Sequence, residues 1–502
     1  MFCIPGEETL LNSDKLKEFE PVFFPRSIAV VGASGNPFKF GHKYFQGLVK
    51  VGFQGGLYPV NPNESQVCGL TVYPSVRDVP GPVEYVIVCV PARYVLSVLD
   101  DCAAKGVKVV QFFTAGFSET GEEEDQRLEA EMVEKARRGG FRIIGPNCIG
   151  VYSPANRMPF GPSELLGECG TVGVISQSGG HAGRVIGTGV RRWIHFSKVV
   201  SFGNGADLDS VDYLEYFAAD PDTRIIGAYL EGVKDGRRFF ELARQVSRSK
   251  PMVVWKGGKT APGAEAAASH TGSLAIRDTV WDAMLKQAGV VRVDSLEELC
   301  DTMLTFQDYP PFLGENVAIV AGLAGGGGGE SVSSTDACAS AGLKVPAFAD
   351  ETRRNLKAIL PPAGCILRNP LDMGASGGIL EVLERTMEIV LGDPGVDAVI
   401  VNEHIDNLLM QLPKDTLDAM NDVFIRARAR KPLVVVSSPT LGSAGAVGMD
   451  ILSLEKKLAD AQVPVYPSLD RAARAIANMN WYYGFHCRSD PVSQDEARTG
   501  WA

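Results

Sequence analysis

The sequence predicts an α/β protein built from parallel sheets that are covered by helices on both faces. Short apolar runs alternate with helix-length segments along most of the chain. Glycine (55) and proline (30) are plentiful, as expected where many tight loops join buried strands. The length of 502 residues exceeds what one core can hold. At about 100 to 200 residues per domain, we expect roughly three domains.

The first elements are a strand, a glycine turn and a helix. The segment S-I-A-V-V-G-A-S-G-N at 27–36 ends an apolar run on glycines, and 39–51 can then be helical. Further apolar runs lie at 56–60, 85–90, 107–113 and 141–144, and the helix-length stretches between them include 93–105 and 122–138. This alternation predicts a doubly wound parallel sheet in residues 17–150.

Two later parts of the chain resemble one another. Three pairs of segments match in the same order: 170–180 with 315–326, 219–231 with 392–404, and 249–255 with 430–436. We therefore predict two related α/β domains, at 168–308 and 314–480, followed by a polar tail at 481–502.

The two copies differ just after the third matched segment. The first copy continues W-K-G-G-K-T-A-P-G-A-E-A-A-A-S-H-T-G-S with His270, whereas the second has no histidine there. A loop required only by the fold would be kept in both copies. We interpret this loop as an inserted functional element.

The first glycine turn predicts either a phosphate site or a purely structural turn. The Gly32-Ala33-Ser34-Gly35-Asn36 turn departs from the dinucleotide fingerprint, and no acid closes the second strand at Val60-Asn61-Pro62. A nicotinamide-dependent dehydrogenase is therefore a weak alternative. A helix N-terminus still favours an anionic ligand here.

A second glycine turn, S-Q-S-G-G at 176–180, precedes a helical segment. Its two serines and two glycines are expected to expose amides and hydroxyls, which suits a phosphoryl group or an oxyanion. A serine nucleophile is also conceivable, but G-x-S-x-G is absent.

His270 could be a structural histidine, but its surroundings favour chemistry. Imidazole attacks phosphorus at neutral pH, and S-H-T-G-S supplies space, hydroxyls and mobile backbone around the ring. A carboxylate would have to orient the ring. Glu231 closes the strand at 225–230 and is the candidate, although a solvated loop acid is the alternative interpretation.

Bulk composition excludes several classes. The net charge of -11 argues against nucleic-acid binding. The ten cysteines form no C-x-x-C pair or metal-ligand cluster, so we expect free thiols and no metal site. The N-terminus shows no leader pattern and no apolar run is long enough to span a membrane, so we expect a cytoplasmic protein without membrane contact.

Several motifs together resemble one family. V-G-A-S, Y-P-V-N-P, V-P-A, I-G-P-N-C-I-G (144–150), I-S-Q-S-G-G, L-E-G (230–232) and S-H-T-G-S are similar to those of the α subunit of the NDP-forming acyl-CoA synthetases, the superfamily that includes succinyl-CoA synthetase. The resemblance covers about residues 19–480. It implies a Rossmann-like CoA-binding domain followed by two flavodoxin-like, succinyl-CoA synthetase-like domains.

The resemblance also implies the site residues. His270 would be phosphorylated during turnover, Glu231 would steady it, and Ser178, Gly179 and Gly180 would hold the phosphate. The residues implied to line the CoA site are Gly32, Ala33, Ser34, Gly35, Asn36, Val60, Asn61, Pro62, Asn63, Val90, Pro91, Phe113, Thr114, Ala115 and Asn147. Cys148 would lie with Asn147 near the thiol end. One departure is A-G-L-A-G-G-G-G-G-E at 321–330, where relatives have an N-A-G-G-P-G-like turn.

The implied reaction passes a phosphoryl group from ATP or GTP to histidine and then to a small carboxylic acid, whose acyl phosphate the CoA thiol attacks. It is reversible and uses magnesium. The resemblance implies that an ATP-grasp β subunit supplies the nucleotide site, in an α2β2 assembly. The alternative is a CoA-binding or acyl-CoA-binding regulatory protein that has lost catalysis, which the presence of both His270 and Glu231 disfavours.

Overall fold

The computed structural model describes residues 13–265, 277–309, 311–323, 328–361, 363–438 and 446–489. These residues fall into two compact units that divide between Leu299 and Cys300. His270 lies outside the described residues. Among the residues that are described, no helix is long and apolar enough to cross a membrane.

The first unit begins with a five-stranded sheet. Its elements are α1 (Ser13–Phe23), β1 (Ser27–Val31), α2 (Phe40–Val51), β2 (Gly56–Val60), the hairpin strands β3 (Gln66–Val67) and β4 (Leu70–Thr71), β5 (Tyr85–Val88), α3 (Val95–Lys105), β6 (Val109–Phe112), α4 (Glu123–Gly139) and β7 (Arg142–Ile144). The strand order is β2-β1-β5-β6-β7, and every pairing is parallel. Strands β1, β5 and β6 are buried along their whole length, because helices cover both faces.

A six-stranded sheet completes the first unit. Its elements are β8 (Gly150–Tyr152), β9 (Cys169–Ser176), α5 (Gly179–Arg191), β10 (Phe196–Ser201), α6 (Ser210–Ala219), β11 (Ile225–Leu230), α7 (Gly236–Val246), β12 (Met252–Lys256), α8 (Asp278–Gln287) and β13 (Val291–Val293). The order is β13-β12-β11-β9-β10-β8, parallel except for β8 on β10. The chain leaves β9 for β10 on one side and reaches β11 on the other. The carboxyl ends of β9 and β11 therefore flank the crevice where ligands bind in such sheets.

A short span joins the two sheets of this unit. Strand β7 ends at Ile144 in the first sheet and β8 begins at Gly150 in the second, so residues 145–149 connect them. The Gln111 amide donates to the carbonyl of Ile149 at 2.8 Å, and Tyr85 donates to the Gln111 oxygen at 2.6 Å. Gly150 has φ of 97°, and a Cβ there would lie 2.0 Å from the Gln111 oxygen. Only glycine fits this position.

The second unit holds a third sheet. Its elements are α9 (Leu296–Asp308), which begins just before the division, β14 (Val317–Ala321), α10 (Gly328–Ser340), α11 (Asp350–Ile359), β15 (Ile366–Leu367), β16 (Leu371–Asp372), α12 (Leu380–Leu391), β17 (Ala398–Glu403), α13 (Ile405–Gln411), α14 (Lys414–Arg428), β18 (Leu433–Ser437), α15 (Ala446–Asp460), β19 (Val465–Tyr466) and α16 (Leu469–Ser489). The strand order is β15-β16-β14-β17-β18-β19. Only the β15–β16 pair is antiparallel among these strands.

The two later sheets share one strand order. In the second sheet, β9 is followed outward by β11, β12 and β13, with β10 on its other side. In the third sheet, β14 is followed outward by β17, β18 and β19, with β16 on its other side. The three segment pairs matched in the sequence fall on corresponding strands, which supports the predicted repeat. The predicted domain limits of 17–150, 168–308 and 314–480 remain predictions.

Candidate functional site

A cavity of about 540 Å³ opens in the first unit between its two sheets. Residues 89–91 and 113–115 line one side, residues 147–149 the floor, and residues 177–180 with Gly203 the other side. Of the residues predicted from sequence, the cavity brings together Val90, Pro91, Phe113, Thr114, Ala115, Asn147, Ser178, Gly179 and Gly180. The predicted thiol end of the CoA site and the predicted phosphate turn therefore share one space.

The S-Q-S-G-G turn forms the helix N-terminus in this cavity. Ser178 is the N-cap of α5, and its Oγ accepts a hydrogen bond from the amide of His181 at 3.3 Å. The amides of Gly179 and Gly180 begin the helix and have no intrahelical acceptor. The expectation that both serines expose their hydroxyls is wrong for Ser176, which is fully buried and donates to the carbonyl of Ser178 at 2.7 Å. Ser176 shapes the turn and cannot reach a ligand.

Glu231 is held firmly at the carboxyl end of β11. It is only 8% exposed, and its carboxylate accepts a hydrogen bond from the Tyr229 hydroxyl at 3.2 Å. Burial and the neighbouring carboxylate raise the pKa of Tyr229, so that the phenol stays a donor. Glu231 is therefore an ordered acid, and the interpretation as a solvated loop residue is wrong.

Lys256 is a buried cation near Glu231 that sequence reasoning missed. It ends β12, directly opposite Leu230 in the sheet register, and its ammonium donates to the carbonyl of Gly257. Burial lowers the pKa of Lys256, while the carboxylates of Asp278 and Glu231 oppose that change. Lys256 directly follows the predicted segment 249–255, and this place at the end of a buried strand was the available signal.

The histidine loop leaves the sheet beside Glu231. Strand β12 ends next to β11, and a Cβ on Gly257 would lie 2.5 Å from the Tyr229 hydroxyl and 3.2 Å from the Glu231 Cγ. Residues 261–265 are helical, and the segment 266–276 with His270 lies outside the described residues. The chain therefore starts towards His270 from the edge that holds Glu231.

Gln177 was overlooked by the sequence analysis. Its side-chain oxygen accepts hydrogen bonds from the amides of Glu231 at 2.9 Å and Gly232 at 3.1 Å. The residue lies between Ser176 and Ser178, whose hydroxyls were predicted to face a phosphoryl group. Its place immediately after a buried strand at a sheet crevice is the signal that could have found it.

The first glycine turn is organised by an acid that sequence reasoning did not single out. Glu64 accepts hydrogen bonds from the Ser34 hydroxyl at 2.9 Å and the Gly35 amide at 3.0 Å. These two bonds lower the pKa of Glu64, the Gly35 amide having the larger effect. Two of the donors expected to face a phosphate are thus engaged by a carboxylate.

The same turn contacts the second strand. Gly32 has φ of 90° and donates its amide to the carbonyl of Val60 at 2.9 Å, and the Asn61 amide donates to the carbonyl of Ala33 at 2.7 Å. The residues of this group that do not line the cavity are Gly32, Ala33, Ser34, Gly35, Asn36, Val60, Asn61, Pro62 and Asn63. Their predicted contact with CoA stays a prediction.

The two cysteines of the cavity are poor nucleophiles. Burial raises the pKa of Cys89 to about 12, and it also raises the pKa of Cys148, which lies with its Sγ 3.5 Å from the carbonyl of Phe112. Thiols rather than thiolates are therefore present at neutral pH. These side chains pack against the site without supplying a reacting group.

Two protein-family models match the first unit. A CoA-binding domain matches residues 26–154, and a succinyl-CoA ligase-like flavodoxin domain matches residues 169–306. The two matches cover the two sheets that border the cavity.

Relatives with assigned names match most of the chain. The α subunit of an ADP-forming acetate–CoA ligase I from Pyrococcus furiosus is 37% identical over 91% of this chain and 96% of its own length. An ADP-forming 4-hydroxybutyrate–CoA ligase from Nitrosopumilus maritimus is 32% identical over 91% of this chain, which spans only 63% of that longer protein. The solved structure of a dinucleotide-forming acetyl-coenzyme A synthetase 1 from Candidatus Korarchaeum cryptofilum, in complex with phosphate and ADP, is similar with a TM-score of 0.79 and 32% identity. That match covers 94% of this chain and 99% of the other.

Proposed function

This chain belongs to the ADP-forming acyl-CoA ligases as an α subunit, and from this premise we propose that acyl transfer to CoA takes place in the cavity between its first two sheets. The protein is an acid–thiol ligase. One observation supports this location above all. Residues predicted to hold the thiol end of CoA and the helix N-terminus predicted to hold phosphate line the same cavity.

The described residues suit the groups that the reaction brings together. The amides of Gly179 and Gly180 and the N-terminus of α5 favour a phosphoryl group. Asn147 lines the cavity, and its backbone is in the left-handed region (φ of 56°). Its backbone N–H donates to the carbonyl of Thr114 at 2.9 Å. CoA, when bound, supplies the thiol that takes over the acyl group. Asn147 would orient the thiol end of CoA in the cavity.

His270 and Glu231 would carry the phosphoryl group. The carboxylate of Glu231 would hold the proton on one ring nitrogen of His270, leaving the other nitrogen to bond phosphorus. Glu231 is kept in place by Tyr229 and Gln177. The small residues that surround His270 in the sequence would allow the loop to move between sites.

The family uses CoA and a nucleotide, and the α-subunit name of relatives implies a partner subunit. We infer that the partner is an ATP-grasp β subunit that binds ATP or GTP with magnesium, in an α2β2 assembly. Within the described ranges, no group of three or more histidine, cysteine or acidic side chains is arranged to hold a metal ion. The acid substrate would be a small carboxylic acid, with acetate and 4-hydroxybutyrate as the first compounds to test, because relatives carry those names.

Phosphoryl labelling of the complete enzyme tests this proposal. The chain is combined with its partner, magnesium and ATP labelled at the terminal phosphate, and the label should be acid-labile, base-stable and located on His270. His270→Asn should abolish labelling and turnover, and Glu231→Gln should lower turnover by about 10²- to 10⁴-fold. His195→Asn, which changes a partly exposed histidine outside the cavity, is the matched control.

The alternative of a regulatory CoA-binding protein gives a different result. Binding of CoA without any label on His270, in the presence of a partner that hydrolyses ATP, would support that alternative and contradict the ligase site.

A further inference from the structure

Gln177 is anchored on the strand side of the cavity. It follows β9 directly, it is 7% exposed, and its backbone amide donates to the carbonyl of Tyr229 at 3.0 Å. Its backbone is thereby tied to β11, the strand that ends at Glu231. The side chain cannot swing freely, because it is nearly buried and bonded at its oxygen.

The hydrogen bonds determine which way the side-chain amide points. Both neighbours of the carboxamide are backbone N–H groups, from Glu231 and Gly232, and only an oxygen can accept from them. The oxygen Oε1 therefore faces the Glu231 loop. The NH₂ group, Nε2, must face the other way.

Gln177 is one of the residues that line the cavity, beside Ser178, Gly179 and Gly180. Nε2, on the side of the carboxamide away from the Glu231 loop, is the atom that can donate into it. In the part of the chain that the structure describes, Oε1 is the only atom of this side chain with a hydrogen-bond partner, so Nε2 has two protons to donate. A ligand oxygen in the cavity can therefore accept a hydrogen bond from it.

We propose that Gln177 contacts the substrate, its Nε2 donating a hydrogen bond to an oxygen of the reacting carboxylate and acyl phosphate while its Oε1 positions Glu231. This inference rests on the proposed function. The convergent groups around that oxygen, Nε2 and the amides of Gly179 and Gly180, are all donors. They suit an anionic group and disfavour a cation or a neutral acceptor-poor one.

The step that Nε2 assists needs no reactant besides the carboxylic acid and the phosphorylated His270. A carboxylate oxygen of the acid bonds to phosphorus as the bond between phosphorus and the His270 nitrogen breaks. The imidazole leaves as a neutral ring that keeps the proton facing Glu231. The negative charge stays on the oxygens of the acyl phosphate, where a fixed donor lowers the barrier.

Two substitutions in the complete enzyme separate donation from positioning. Gln177→Glu keeps an oxygen for the two backbone amides but removes the donor, and Gln177→Met removes both functions. Gln54→Glu is the matched control, since Gln54 is exposed, lies outside the cavity and donates to the carbonyl of Gly52. The measurements are labelling of His270, transfer of that label to acetate, and KM for acetate.

We expect Gln177→Glu to leave labelling of His270 near normal while slowing transfer to acetate by about 10²-fold, as for loss of one donor to a developing oxyanion. Transfer by Gln177→Glu should recover as the pH falls, because a protonated glutamate regains an O–H donor. Gln177→Met should be slow at every pH.

If Gln177→Glu transfers the label to acetate at the wild-type rate, the inference is overturned and Gln177 has a purely positioning role. Loss of His270 labelling in Gln177→Glu would also overturn it, since the substitution would then act through Glu231. If Gln177→Met fails to fold, the pH profile of Gln177→Glu still decides. Absence of label in the wild-type enzyme would instead contradict the proposed function.

Discussion

At the scale of single residues, Glu403 is an acid buried at the end of a strand. It is 4% exposed, and burial together with the nearby Glu455 raises its pKa to about 8. The carboxyl group is therefore protonated in the folded unit at pH 7, while in the unfolded chain it ionises near its ordinary pKa of about 4.3. The folded state binds the extra proton, so the free energy of unfolding should fall as the pH rises from about 4.5 to 8.

Glu403→Gln keeps the shape and removes the titration. We expect the variant to be more stable than the wild type at pH 8 by about 2 kcal/mol or more, with a much smaller difference at pH 4.5. Denaturant unfolding at pH 4.5, 6.5 and 8 measures this. The exposed Glu381→Gln is the control and should show no such trend. Parallel pH profiles for the wild type and Glu403→Gln would contradict the prediction.

The role of a residue could be predicted where it follows a strand, because its position at the sheet edge is then known. It could not be predicted where the role depends on a partner far away in the sequence. Glu231 follows an apolar run, so its place at the sheet edge could be derived from the sequence. Its partner Gln177 is 54 positions away. Glu64 is 30 positions from the hydroxyl of Ser34 that it accepts from. No local pattern encodes such pairings, because they depend on the strand order.

At the scale of elements, helix α2 packs directly on the first glycine turn. A Cβ on Gly41 would lie 2.1 Å from the backbone oxygen of Gly32, so helix and turn touch through their main chains. We expect Gly41→Ala to lower the free energy of unfolding by about 1–3 kcal/mol, because the helix must move away. The turn predicted to contact CoA moves with it, so CoA affinity should also fall.

Gly187→Ala in helix α5 is the matched control. A Cβ there meets no atom within 4 Å, and alanine stabilises a helix interior by about 0.5–1 kcal/mol relative to glycine. Thermal unfolding of both variants tests the pair. Equal effects of the same sign would show that the close contact at Gly41 does not matter.

Most elements were predictable because their apolar periodicity is strong. The predicted strand at 56–60 and the strand before Glu231 have the observed bounds. Strand β8 could not be foreseen, since three residues give no period and its pairing with β10 is antiparallel. Tertiary contact alone makes it a strand.

At the scale of the whole molecule, the second sheet of the first unit and the sheet of the second unit share one strand order but carry different side chains at equivalent edges. Where β11 is followed by Glu231, β17 is followed by His404, whose Nδ1 lies 3.2 Å from the carbonyl of Ser438 and whose Nε2 contacts the carboxylate of Glu330. The repeat therefore preserved the scaffold and changed the chemistry. The glycine-rich loop before Glu330 falls partly outside the described residues, at 324–327.

The complete enzyme should need two kinds of subunit. Alone, this chain is expected to bind CoA but to take up no label from ATP, because relatives of matching length are named α subunits. Adding an ATP-grasp partner should restore labelling, and size-exclusion chromatography should show a larger complex. Labelling of the isolated chain would contradict this division of labour.

Residues 145–149 tie the two sheets of the first unit together and also supply the floor of the cavity. Five residues span at most about 18 Å even when fully stretched. The separation of the two sheets at the cavity is therefore limited by this short connection. A pantetheine arm entering this gap would find its width already set. Little of the binding free energy of CoA would then be needed to bring the two walls together.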